Sequence, residues 1–187
     1  MKKETQLIAL GCYPEDHHGV VNLPTYRAST ILFPNLAEFE AADRGEHPRP
    51  TYGRYGTPST DALEKVLAEF EGSKHAIVTA SGLSAIVVGL MAFLKTGDHL
   101  LMVDSAYSPS RRFCEGILKK FGVEVTYYDP LIGAGIDKLM KDNTRVVFVE
   151  SPGSLTFEVQ DIPAIAKVAH AKGAIVIGDM TWGTLLY

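Results

Sequence analysis

The stretch "TRVVFVESPGSLTFEVQDIPAIAKVAHAKGAIVIGD" (residues 144–179) carries a complete structural unit in its spacing. Thr144 to Glu150 is dominated by β-branched and aromatic residues and does not alternate polar with apolar. A strand with one wet face alternates; a strand covered on both faces does not. The next periodic segment, "DIPAIAKVAHAKG" (161–173), reads as a helix, with Asp161 as its cap and Gly173 as its stop. "AIVIGD" (174–179) is then a second buried strand. Two such strands joined by a helix run parallel, because a tight hairpin cannot connect them.

Working outward, the same alternation repeats. "VEVTYYD" (123–129), "HLLMVD" (99–104) and "HAIVTA" (75–80) read as strands. "LSAIVVGLMAFLKT" (83–96) and "SPSRRFCEGILKKFG" (108–122) read as helices, the latter closed by Gly122, with a short helix expected near 136–141. In "STDALEKVLAEFEG" (59–72), Leu63, Val66, Leu67 and Phe70 recur at helical spacing before Gly72. The pattern predicts an α/β fold, a mostly parallel sheet covered by helices on both faces. Residues 1–58 differ. They hold six of the ten prolines, Pro48 among them, and only Asn35 to Arg44 reads as helix. Such a segment builds no core of its own. It is expected to be an arm (1–58) lying across another surface, ahead of the regular domain (59–187).

Composition removes several classes of function. Of the 187 residues, 46% are hydrophobic and 21% charged, an ordinary balance for a folded domain, and the net charge is -4. No basic stripe is present to release counterions from nucleic acid, so none is expected as a partner. The two cysteines, Cys12 and Cys114, lie far apart, which argues against a disulfide framework or a zinc site. No apolar run approaches a membrane span, and Leu7 to Leu10 is too short for a signal core, so a cytoplasmic protein without a membrane partner is expected.

Ligands of parallel α/β sheets bind off the carboxyl ends of the strands. Ser81-Gly82-Leu83-Ser84 follows the strand at 75–80 and opens a helix; it is either a simple cap or an anion site. Tyr107 follows the strand at 99–104, as a packing aromatic or a ring-stacking group. Asp179 ends the last strand. A carboxylate there needs a salt bridge, a capping role or a cationic ligand, because burying it unpaired is costly. "GAGIDK" (133–138) imitates a dinucleotide loop, but Lys138 stands at the third glycine's position. There is no phosphate loop of the GxxxxGK type, no GxSxG and no HExxH.

Five segments, in order, now identify a resemblance. "YGRYGTPS" (52–59), "ASGLSAI" (80–86), "AYSPS" (106–110), "ESPGSLTFEVQDI" (150–162) and "DMTWGTLLY" (179–187) resemble the pyridoxal-phosphate enzymes of cysteine and methionine metabolism. "ESPGS", Trp182 and "YDPLIG" (128–133) look most like the cystathionine β-lyases within that family. The resemblance implies the fold type I architecture of the aminotransferase kind, incomplete in this chain, with pyridoxal 5'-phosphate as cofactor. It implies carbon–sulfur β-elimination of cystathionine, an amino-acid substrate, to homocysteine, pyruvate and ammonia in methionine biosynthesis. It also implies a homo-oligomer, a dimer of dimers. The family's γ-lyases and γ-synthases, methionine γ-lyase included, and a non-catalytic fragment are the alternatives.

The resemblance assigns roles to six residues. Gly82 and Leu83 would hold the cofactor phosphate through their backbone amides. Tyr107 would stack on the pyridine ring and assist proton transfer. Asp179 would bind the pyridine nitrogen. Tyr52 and Arg54 would reach the phosphate of a neighbouring subunit, which gives the proline-rich arm a surface to lie on. One departure stands out. The family uses a Schiff-base lysine downstream of the "DxTW" strand, and every lysine here precedes Asp179, the last being Lys172. The chain is therefore expected to be the N-terminal portion of a longer enzyme.

Overall fold

The computed structural model describes residues 2–46 and 50–184. Pro48 and the end of the "DMTWGTLLY" segment, residues 185–187, lie outside the described residues. The chain forms two compact units, Met1–Val78 and Thr79–Leu185.

The described residues of the first unit form three α-helices, α1 (Lys3–Ala9), α2 (Leu36–Asp43) and α3 (Pro58–Glu71), and a short 3₁₀ helix at Pro14–His17. Helix α1 was not anticipated. The short α2 starts where Asn35 caps it, its side chain accepting the Glu38 N–H. Helix α3 carries a capping box, Thr57 and Thr60 serving each other's backbone N–H, with Pro58 in the first turn. It ends at Gly72, whose φ of 63° is the left-handed C-cap that glycine adopts without strain. By contact the unit runs on to Val78, with α3 grouped with the segment before it. Residues 75–80, expected as a strand, belong to no sheet among the described residues, and Ile77 is 81% exposed. An extended segment becomes a strand only when a neighbour takes up its backbone hydrogen bonds. The only sheet-type link described in this unit is the antiparallel bridge of Thr30 with Tyr52. There Gly53 donates its N–H to the Ser29 carbonyl at 2.7 Å. A Cβ at Gly53 would stand 1.9 Å from the Ala28 carbonyl oxygen, so only glycine fits between Tyr52 and Arg54.

The second unit is a four-stranded parallel sheet in the order β2-β1-β3-β4. Its strands are β1 (His99–Val103), β2 (Glu124–Tyr128), β3 (Thr144–Glu150) and β4 (Ile175–Asp179). They are joined and covered by α4 (Gly82–Phe93), α5 (Ser108–Phe113) and α6 (Ile162–Ala171). The α5 helix continues as a π-turn over Cys114–Leu118. The expected helix near 136–141 is instead a 3₁₀ segment, Gly133–Leu139. The inner strands β1 and β3 are buried almost throughout, while the outer pair β2 and β4 are half-exposed. The core gathers around Leu100, Leu101, Met102, Val146, Val147 and Phe148, and Leu90 of α4 and Ile165 of α6 complete it from the helices.

The opposite end of the sheet from Asp179 carries a buried histidine. His99 is fully buried at the start of β1; its Nδ1 lies 2.7 Å from the Thr144 hydroxyl and its Nε2 lies 2.9 Å from that of Thr126. Burial, and then the Lys141 charge, push its pKa below the usual histidine value, with Glu124 opposing. The unfolded chain takes up a proton near pH 6.5, where the folded chain resists it. The contribution to stability is therefore full above that pH and is lost as pH falls toward the lowered folded value. Denaturant midpoints of the whole-length protein should drop between pH 7.5 and 5.5, and less so in His99→Gln; equal slopes in both would remove the assignment.

Candidate active site

The carboxyl ends of β1, β3 and β4 and the N-terminus of α4 border one cavity of about 650 Å³. Gly82, Leu83, Tyr107 and Asp179 all line it, with Ser81, Glu150 and Trp182. Each arrives by a local rule. Ser81 caps α4, its Oγ accepting the Ser84 N–H at 3.1 Å. The first helical N–H groups, those of Gly82 and Leu83 included, have no carbonyl one turn earlier, and the helix dipole is positive there. A Cβ at Gly82 would meet nothing within 4 Å, so the backbone stands open. Tyr107 forms the N-terminal boundary of α5, with Pro109 in the helix's first turn.

At the far side of the sheet edge stand two carboxylates. Glu150 ends β3 and Asp179 ends β4, directly paired in register. The Asp179 Oδ1 accepts the Thr181 N–H at 3.0 Å and the Thr181 hydroxyl at 2.5 Å. That turn leaves the second oxygen of Asp179 uncommitted among the described contacts. Glu150 is 6% exposed, and its Oε2 accepts the Tyr107 N–H at 2.7 Å. Burial, and the neighbouring Asp179 charge, push the Glu150 pKa up, while the Tyr107 N–H pulls it down. No ion pair to either carboxylate occurs among the described residues. The remaining wall is apolar: Ile86, Pro109, Leu155, and Phe157 edge-on to Trp182 with ring centroids 5.2 Å apart.

The cavity thus has a positive end made of backbone amides, a negative end made of carboxylates, and aromatic and aliphatic sides. It suits a flat ligand bearing an anion at one end and a cation at the other. Glu150, Thr181 and Phe157 were not singled out as site residues from the sequence, although Glu150 sat in plain view as the last residue of its strand. Tyr52 and Arg54 belong to the first unit. There Arg54 lies over the Tyr52 ring at 5.3 Å and the Tyr55 ring at 5.5 Å, beside a separate hollow of about 550 Å³ lined also by Phe33 and Phe39. Among the described residues no lysine lines the 650 Å³ cavity.

Comparison with known proteins agrees with this layout. Residues 4–187 match the family model described as Cys/Met metabolism PLP-dependent enzyme. A protein of Rhizobium johnstonii, provisionally named cystathionine beta-lyase, is 49% identical over 183 residues, covering 98% of this chain and 45% of its own length. Cystathionine beta-lyase MetC of Escherichia coli is 39% identical over 184 residues, covering 97% and 47%. Among solved structures, a provisionally named O-acetylhomoserine (thiol)-lyase from Campylobacter jejuni, which holds N'-pyridoxyl-lysine-5'-monophosphate, superposes with a TM-score of 0.86 at 26% identity, covering 99% and 45%. The chain spans about half the length of the relatives it matches. Its parallel sheet and covering helices are part of the α/β fold that these pyridoxal-phosphate enzymes share. The chain belongs to the Cys/Met metabolism PLP-dependent enzyme family, whose cofactor is pyridoxal 5'-phosphate.

Proposed function

We propose that the whole-length protein is a carbon–sulfur β-lyase that cleaves cystathionine to homocysteine, pyruvate and ammonia in methionine biosynthesis. The observation that carries the reading is the convergence of Gly82, Leu83, Tyr107 and Asp179 on one cavity. The cavity's two unlike ends fit the cofactor. The α4 amides of Gly82 and Leu83 would hold its phosphate, an anion suited to a helix N-terminus. Asp179 would hold the ring nitrogen in its cationic form, which the opposite charge of its own carboxylate favours. Tyr107, 45% exposed and lining the cavity, would cover one face of the ring.

Bound there, pyridoxal phosphate supplies an electron sink that stabilises negative charge at the substrate's α-carbon. This chain's residues prepare for that step. Asp179 would keep a proton at the ring nitrogen, its orientation fixed by the two hydrogen bonds it accepts from Thr181. Phe157 and Trp182, both more than half exposed, give the cavity an aromatic edge. The Tyr107 phenol, lining the same cavity, would assist a proton transfer there. Tyr52 and Arg54, held in their own unit by the Gly53 close approach, would complete the phosphate site of a neighbouring subunit in a homo-oligomer. Arg54 brings a planar cation suited to phosphate.

The β-lyase choice is supported by "ESPGS", by Trp182 and by the names of the two relatives above. A second reading, γ-elimination or sulfhydryl transfer in the same family, is favoured by the thiol-lyase at the same fold. The whole-length protein given cystathionine should release pyruvate and homocysteine. Release of 2-oxobutyrate and cysteine would overturn the β-lyase reading and leave the cofactor reading standing.

A further inference from the structure

We infer that Glu150 is a positioning residue of this site, fixing the Tyr107 loop through the hydrogen bond it accepts rather than through its charge. Its effect on activity rests on the cofactor reading above; its effect on the loop does not.

The side chain is well placed to act as a rigid strut. The Glu150 backbone is anchored inside the second unit. Its carbonyl accepts the Gln160 Nε2–H at 2.6 Å, and the Tyr128 hydroxyl lies between the Gln160 Oε1 at 3.0 Å and the Phe148 carbonyl at 2.9 Å, its one hydrogen shared between them. The Gln160 N–H in turn donates to the Ser151 Oγ at 3.0 Å. From this buried base the carboxylate spans to the Tyr107 N–H, 43 residues away in sequence and at the mouth of the cavity. No side chain caps α5 at Tyr107, so the Glu150 oxygen is the group that ties down this helix start. The Tyr107 ring itself is half-exposed and stacks on no other ring among the described residues, so its direction follows from its backbone.

A role through charge is the competing possibility, and the surroundings oppose it. Asp179 stands beside Glu150 in register, and no cation pairs with either among the described residues. A second full charge there is penalised, in line with the upward pKa shift. The strut needs only an acceptor oxygen, which a neutral acid or an amide also offers.

Glu150→Gln and Glu150→Ala in the whole-length protein separate the two. The first readout is hydrogen exchange of the Tyr107 amide in the cofactor-free protein. Exchange should quicken by about tenfold or more in Glu150→Ala, as expected for losing a hydrogen bond to a carboxyl group, and stay near wild type in Glu150→Gln. The second is turnover with cofactor present: Glu150→Ala should fall well below wild type and Glu150→Gln should recover most of it. Should Glu150→Ala fail to fold, Glu150→Leu, of similar size and without an acceptor, carries the same expectation. Unchanged Tyr107 exchange in the acceptor-free variant, or Glu150→Gln as damaged as Glu150→Ala, overturns the inference. Wild-type protein that shows no pyridoxal absorbance band would instead overturn the cofactor reading, and the exchange result would still decide Glu150.

Discussion

Asp179→Asn in the whole-length enzyme is expected to lower pyruvate formation from cystathionine by about 10²–10³-fold, the range seen when one preorganised electrostatic contact is removed. The substitution is nearly isosteric. The asparagine oxygen can keep the bonds to the Thr181 N–H and hydroxyl that orient the side chain. The other carboxylate oxygen becomes an NH₂ group, a donor facing a donor if the ring nitrogen stays protonated. The proton is then held less tightly and the electron sink weakens. Because the replacement is nearly isosteric and Asp179 is the last residue of its strand, the fold should survive, and a far-ultraviolet spectrum like wild type would show it. Near-normal turnover in this variant would remove Asp179 from the proposed role.

Much of this site was legible before any coordinates, because parallel sheets gather their loops at one edge. Gly82, Tyr107 and Asp179 each follow a segment read as strand, and the α4, α5 and β4 boundaries put them at one cavity. What escaped was what depends on contacts far apart in sequence. Glu150 ends a buried run, and nothing local distinguishes a strand-terminal carboxylate that meets solvent from one that accepts a distant N–H. Thr181 escaped for the same kind of reason, since its grip on Asp179 is a turn geometry that "DMT" does not announce. Residues 75–80 show the converse. Their composition favours a strand, yet a strand is a property of a pair, and among the described residues no strand lies beside them; the Val78 N–H donates to the Glu64 carboxylate at 2.8 Å instead. Helix α1 was missed because "KETQLIA" is short and flanked by irregular sequence, with no residue buried to give an apolar period. The pattern of uniform apolar runs was the most dependable signal, since it followed burial on both faces of β1 and β3.

Phe148→Ala should be the most destabilising single truncation in the second unit, costing about 3–5 kcal/mol. Phe148 is fully buried in β3, an inner strand of the sheet. It pairs in register with Met102 of β1 on one side and Ile177 of β4 on the other. Its ring is the largest of the fully buried side chains, and helices cover both faces of the sheet, so the surroundings cannot close over the gap. Its carbonyl also accepts the Tyr128 hydroxyl at 2.9 Å, and that hydroxyl meets Gln160, the same residue that steadies the Glu150 backbone. Slack at Phe148 therefore reaches the cavity two residues further along the strand, and cofactor affinity should fall together with stability. Denaturant unfolding of the whole-length protein measures the first effect. Phe148→Leu should recover more than half of the loss, because it returns most of the volume, whereas Leu131→Ala, at a residue 72% exposed, should cost about 0.5 kcal/mol or less. If the Phe148 and Leu131 variants unfold at the same denaturant concentration, then β3 is not the centre of this core, and the edge that presents Glu150 and Asp179 loses its physical support.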